Sequence, residues 1–170
     1  TLLQTVDMKS LISFLCNSDS THRLFGAVAI GNIASHIDLQ APVLDSGALQ
    51  PLIGLSEEHG ADVESQRCMS YAICNLSADL PNRMAIIRAG GLPSIMYLCR
   101  TGDTSDMLAA LSTLRGLAAS AEARRAIVEE GVLSVLALAA KTGSVKCKQE
   151  VAAIMVLLSL NEENKFDIVR

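Results

Sequence analysis

Apolar residues along this chain recur at helical steps. Val63, Met69, Ala72, Ile73 and Leu76 fall along one side of a helix, mostly three or four residues apart, with polar Gln66, Arg67 and Ser70 between them. Strand alternation cannot produce that spacing, so the stretch reads as an amphipathic helix. Leu108, Leu111, Leu114 and Leu117 repeat the pattern as one apolar row, which assigns Leu111 and Leu114 to a core. Extended along the chain, the pattern predicts a short, a medium and a long helix per unit. The short helices are expected at 39–46, 81–89, 122–130 and from 162 onward, the medium ones at 8–16, 48–57, 92–100 and 132–140, and the long ones at 21–35, 62–77, 105–119 and 145–160.

Two series of landmarks show that these helices belong to a repeat. Gly47-Ala48-Leu49, Gly90-Gly91-Leu92 and Gly131-Val132-Leu133 open the medium helices. Gly31-Asn32-Ile33, Cys74-Asn75-Leu76, Arg115-Gly116-Leu117 and Val156-Leu157-Leu158 close the long ones. Both series advance by about forty residues, the length of a two- or three-helix repeat. Approximate units are 1–37, 38–79, 80–120 and 121–160, with a further one starting at 161–170. Asp62, Thr104, Ser144 and Asn161 are expected to cap the helices that follow them, after turns relaxed by Gly60, Gly102 and Gly143. Pro42, Pro51 and Pro93 are placed near helix starts, where a missing N–H does least harm. A single unit cannot bury its own apolar faces, so stacking of neighbours is required, and the whole of 1–170 is expected to be one solenoid domain. Both chain ends fall within a unit, which leads us to expect a piece of a longer protein.

Composition narrows the chemistry. Half of the residues are hydrophobic, yet there are three Phe, two Tyr and no Trp, so packing falls to many small aliphatic contacts of the kind helix stacks use. The formal charge of -4 is spread over 18 acidic and 14 basic residues with no Lys/Arg run, which argues against nucleic-acid binding. Cys16, Cys68, Cys74, Cys99 and Cys147 include no CxxC pair and read as small buried hydrophobes in a reducing compartment. His59 with Asp62 makes no zinc site, and no metal or cofactor is expected. Val151 to Leu160, the strongest apolar stretch, is about half of what a bilayer requires.

With the Gly-x-Leu/Ile signal opening the second helix and Asn-Leu/Ile-Ser/Ala closing the third, the chain resembles the armadillo repeat family over essentially its full length. The resemblance implies an all-α, right-handed α-solenoid of about four partial or complete repeats, whose third helices line a concave groove for extended peptides. It further implies that a third-helix asparagine hydrogen-bonds the peptide backbone. That position is Asn32 and Asn75 here, but Gly116 and Leu157 in the later units. Nuclear-import adaptors of the family carry a Trp four residues earlier, where this chain has Val28, Tyr71, Ser112 and Ala153, which argues against an ordinary basic import signal as ligand. Independently of the family, Arg67, Tyr71 and Asn75 are successive helical turns on one stripe that offers charge, aromatic surface and a two-way amide. The alternative for Asn75 is that it closes its own helix end. Arg115, Arg124 and Arg125 are a weaker candidate, a basic patch for an acidic peptide, against which stand nearby Glu122, Glu129 and Glu130.

No Gly-rich phosphate loop, nucleophile elbow or ligand cluster is present, and Asp103 with Asp106 and Glu162 with Glu163 sit where helix starts favour acids. The expected function is therefore a non-enzymatic scaffold or adaptor that binds an extended peptide or partner protein in the groove. The alternatives are a structural module acting through homo-oligomerisation or end-to-end packing, and a nuclear-transport adaptor with a degenerate groove. The expected setting is cytoplasmic, with nuclear residence or attachment to a membrane surface depending on regions outside this chain.

Overall fold

The computed structural model describes residues 7–57, 63–100 and 103–169, the side chains of 55–57 excepted. Among these residues all regular structure is α-helical, in twelve helices. α1 (Met8–Leu15) and α2 (Ser20–Ala34) precede three complete sets of short, medium and long helix. These are α3 (Ile37–Asp45), α4 (Leu49–Glu57) and α5 (Val63–Leu76), then α6 (Leu80–Arg88), α7 (Leu92–Arg100) and α8 (Thr104–Ala118), then α9 (Ala123–Glu129), α10 (Val132–Thr142) and α11 (Val145–Leu158). α12 (Glu162–Ile168) opens a further set. Every expected boundary lies within about two residues of the observed one, the precision that pattern reading can reach.

The helices fall into two compact units, Thr1–Ser94 and Ile95–Arg170. In the first, α2 packs along α5, with α1 on α2 and α4 on α5. In the second, α8 packs along α11, and α9 meets α10 and α12. Leu111, Leu114 and Leu117 are fully buried, as their row in the sequence requires. Val63 departs from its assigned side and is 67% exposed. At about 100° per residue, the six-residue step from Val63 to Met69 lands about 120° away, off the stripe that Met69, Ala72, Ile73 and Leu76 share.

The glycines that set the register in the sequence have one conformational job. Gly47, Gly90 and Gly131 have φ of 84°, 85° and 89°, the left-handed turn between a short and a medium helix, which a side chain would strain. Gly143 is needed for a different reason, space. Its φ is -73°, but a Cβ there would stand 2.5 Å from the Ala139 carbonyl oxygen and 2.7 Å from Cys147 Cβ.

Ser144 and Asn161 cap α11 and α12 as expected, accepting from Cys147 N and from Glu163 N and Asn164 N. Thr104 does not cap α8. Asp103 does, accepting from Ser105 N and Asp106 N, because its extended backbone turns the carboxylate onto the open first-turn N–H groups while Thr104 is already helical. The expected roles of Asp62, Gly60 and Gly102, and the His59 with Asp62 pair, lie outside the described residues. Pro51 and Pro93 stand in first turns, but Pro42 lies inside α3, which begins two residues earlier than expected. Cys74, Cys99 and Cys147 are buried, whereas Cys16 is exposed and Cys68 half-buried, so the expectation of buried hydrophobes holds for three of the five; all five are free thiols.

A recurring device that the hydrophobic pattern does not reveal closes the long helices. A polar side chain of each short helix reaches back six residues to a carbonyl at the end of the preceding long helix. Gln40 Nε2 donates to Ala34 O at 2.9 Å, Asn82 Nδ2 to Leu76 O at 3.0 Å, Arg124 Nε to Ala118 O at 3.0 Å and Asn164 Nδ2 to Leu158 O at 3.1 Å. Helix C-terminal carbonyls have no partner in their own helix, and here they are buried, so each bond removes a desolvation penalty. Gln40 Oε1 also accepts from Asp79 N, and Asn164 Nδ2 also donates to Arg124 O, so the same amides join one repeat to the next inside each unit.

Candidate functional site

Residues 71 and 75 share a face of α5 because they are one turn apart, and the packing of α2 along α5 brings residues 28 and 32 opposite them. The result is an open pocket of about 280 Å³ lined by Ala27, Val28, Gly31 and Asn32 of α2 and Cys68, Tyr71 and Asn75 of α5. Four of the residues expected at the site, Val28, Asn32, Tyr71 and Asn75, therefore meet around one opening. Arg67 is half-buried on α5 and does not line it. Ala27, Gly31 and Cys68 were not anticipated. Their signal is small size: they leave the room that the larger residues border.

Asn75 does not close its own helix. Its Nδ2 donates across to Gly31 O on α2 at 3.0 Å, a carbonyl that also accepts from Ser35 N. Among the described residues this is the amide's one hydrogen bond, which leaves its second N–H and its Oδ1 uncommitted at the pocket. The bond fixes the plane of the amide, so those groups are presented without further loss of rotamer freedom. Asn32 is exposed and also borders an apolar hollow of about 400 Å³ with Ile33, His36, Asp38 and Leu39.

The second unit has no such constellation at the matching positions. Ser112 is exposed, and Gly116, Ala153 and Leu157 are half-buried. Arg115, Arg124 and Arg125 are each engaged with other groups of the chain. Arg115 Nε stands 2.7 Å from Glu150 Oε2, close enough for an ion pair although its angle is not that of a directed hydrogen bond. Arg124 is spent on the Ala118 and Ala119 carbonyls. Arg125 NH1 lies 2.7 Å from Asp167 Oδ2 and its Nε 2.8 Å from Glu129 Oε1, and these hydrogen bonds, Asp167 first, raise its pKa above the ordinary value. Among the described residues no group of three or more His, Cys, Asp or Glu could hold a metal, and no helix is long and apolar enough to cross a membrane.

No family model matches the chain. Over 162 residues, 93% of its length, it is 32% identical to Vacuolar protein 8 of Schizosaccharomyces pombe, of which it covers 29%. Over 109 residues, 64% of its length, it is 28% identical to outer dynein arm-docking complex subunit 2 of Bos taurus, of which it covers 10%. The chain thus spans less than a third of either relative. Among solved structures, computationally designed armadillo repeat proteins for modular peptide recognition superpose with a TM-score of 0.83 at 21% identity, covering 96% of this chain and 69% of theirs. A designed armadillo repeat protein in complex with the peptide (KR)4 gives a TM-score of 0.72 at 23% identity, covering 86% and 62%. The short, medium and long helices joined through left-handed glycines are therefore armadillo repeats, and this chain is an all-α armadillo-repeat solenoid by fold.

Proposed function

We propose that the chain is a non-catalytic scaffold that holds an extended segment of a partner protein on the α2 and α5 face. The observation that carries this reading is the pocket in which Asn75, pinned to Gly31 O and still offering a donor and an acceptor, meets Tyr71, Val28 and Asn32. An extended peptide has backbone N–H and C=O groups that must find partners when water leaves, and one amide side chain serves both kinds. Tyr71 adds apolar area beside that contact, and its few rotors keep the ordering entropy small. Peptide recognition is a use to which designed proteins of this fold have been put, which supports the same use here. Among the described residues no Asp, Glu, Lys, Arg or His lines the pocket, which favours an uncharged residue as its occupant. Selection of peptides on the chain from a random displayed library, followed by calorimetry of Asn75→Ala, Tyr71→Ala and the double variant, tests the reading. Selected peptides that bind all three variants with parental affinity would show that the face is misassigned.

A further inference from the structure

The pocket between α2 and α5 is not equally polar throughout. Its amides and phenol come from Asn32, which is exposed, and from Tyr71 and Asn75, which are half-buried. The rest of the lining is a fully buried methyl group from Ala27, the methyls of Val28, the bare Cα of Gly31 and the Cys68 thiol. Past the amides, the polar groups are already spent. Gly31 O, turned toward α5, accepts from Ser35 N and from Asn75 Nδ2, both at 3.0 Å, and these two bonds use its two lone pairs. The main-chain groups of Ala27, Val28, Cys68 and Tyr71 lie inside α2 and α5, where the helical ladder engages them. The Cys68 thiol is a weak donor and stands 3.9 Å from Glu64 Oε1.

We infer that the pocket is a subsite for one aliphatic side chain, Leu, Ile, Val or Met, of the bound segment, and that Gly31 and Cys68 set its selectivity by leaving the room for it. The inference rests on the scaffold reading above and narrows its occupant from uncharged to apolar. A polar side chain that passed Asn32 and Asn75 would give up its hydrogen bonds to water and find no free partner beyond them. A charged one would in addition meet no opposite charge, since no Asp, Glu, Lys, Arg or His is among the described lining residues. An aliphatic one loses nothing by leaving water and gains in proportion to the area it buries against Ala27, Val28 and Cys68.

The test selects displayed random peptides on the full chain and keeps those that Asn75→Ala weakens. These are expected to share Leu, Ile, Val or Met at one position, and synthetic versions with Ser, Lys or Glu there should each bind about tenfold or more weaker by calorimetry. Selection is repeated on two variants whose circular dichroism matches the parent. Val28→Asp, at a position 40% exposed, puts a negative charge at the mouth and should shift the shared position to Lys or Arg. Cys68→Leu takes up room inside and should shift it to Ala or Gly. The peptide substitutions need no change in the protein, so they decide the matter even where a variant fails to fold. Peptides that depend on Asn75 but share no aliphatic position, tolerate Ser there without a tenfold loss, or keep the same preference in both folded variants would overturn the subsite and leave the scaffold reading standing. Peptides indifferent to both Asn75→Ala and Tyr71→Ala would remove that reading and the subsite with it.

Discussion

The two long-helix pairs, α2 with α5 and α8 with α11, are built on one pattern and differ in the side chains that face each other across it. Counting from the landmark positions 32 and 116, and 75 and 157, Gly31 of α2 corresponds to Arg115 of α8, and Cys68 of α5 to Glu150 of α11. Gly31 and Cys68 line the pocket. Arg115 and Glu150 face each other at 2.7 Å. What is an opening beside two asparagines in the first unit is thus spanned by an ion pair in the second, where the asparagine positions hold Gly116 and Leu157. The same helix pairing carries an open pocket or an ion pair according to the volume and charge of the side chains between the helices, which is how repeats of one fold diverge.

The largest effect that tests this comparison concerns what the pairs share. If the α8 and α11 face rests on the aliphatic core of its own unit, Leu114→Ala, at a fully buried position of α8, should cost about 2 to 5 kcal/mol in denaturant melts, and Leu111→Ala a comparable amount. A loss of about 0.5 kcal/mol or less would place those residues with surface substitutions and dissolve the premise.

How far the sequence reaches is visible in the same residues. The leucine row from 108 to 117 and the glycines at 47, 90 and 131 are local signals, periodicity and one backbone conformation, and they locate helices and turns. The closure by Gln40, Asn82, Arg124 and Asn164 leaves no mark on a hydrophobic pattern, since a buried amide looks like any polar residue until its acceptor is known. Asn75 shows the same limit at the site. Its position on the stripe is readable, but the Gly31 carbonyl it bonds is 44 residues away. Arg115, Arg124 and Arg125 are readable as candidates from their nearness in sequence, but Glu150 and Asp167, which stand against the first and the last of them, are brought there by the tertiary packing.

Next in size is the amide itself. Asn75→Ala should weaken a selected peptide by about 1 to 3 kcal/mol, roughly fivefold to more than a hundredfold, through the partner groups left unsatisfied. It should also lower stability by about 0.5 to 1.5 kcal/mol, because the bond to Gly31 O is lost. Calorimetry and thermal melts on one variant separate the two roles. A stability loss with intact affinity would make Asn75 a strut between helices and nothing more.

Converting one pair into the other is a sharper and smaller perturbation. Gly31→Arg with Cys68→Glu copies the second unit's pair into the first. A Cβ on Gly31 meets Ala72 Cβ at 3.6 Å, ordinary contact distance, so the fold should accept it. We expect peptide affinity to fall about tenfold or more while melts shift by about 1 kcal/mol or less, the usual worth of an ion pair near the surface. Parental affinity in this double variant would mean that the peptide does not use the opening.

The smallest expected effect comes from the ion pair. Arg115 and Glu150 have side chains 52% and 20% exposed, so solvent screens their attraction, and holding two long side chains in one geometry costs rotamer entropy. A double-mutant cycle with Arg115→Gln and Glu150→Gln should return a coupling of about 0.2 to 1 kcal/mol. At about 1 M salt, where the Debye length falls to about 3 Å, that coupling should shrink. Such a result would mean that α8 and α11 are held by Leu111, Leu114, Ile154 and Leu158, all fully buried. The ion pair would then fill the place of the pocket without being needed to hold the helices together, so losing it would be tolerated and the first unit's opening would carry no stability penalty. A coupling well above about 2 kcal/mol that persists in salt would reverse the argument. The helices would depend on the pair, and the first unit would need a substitute for it, for which the Asn75 to Gly31 hydrogen bond, on the same two helices as the pocket, is the candidate.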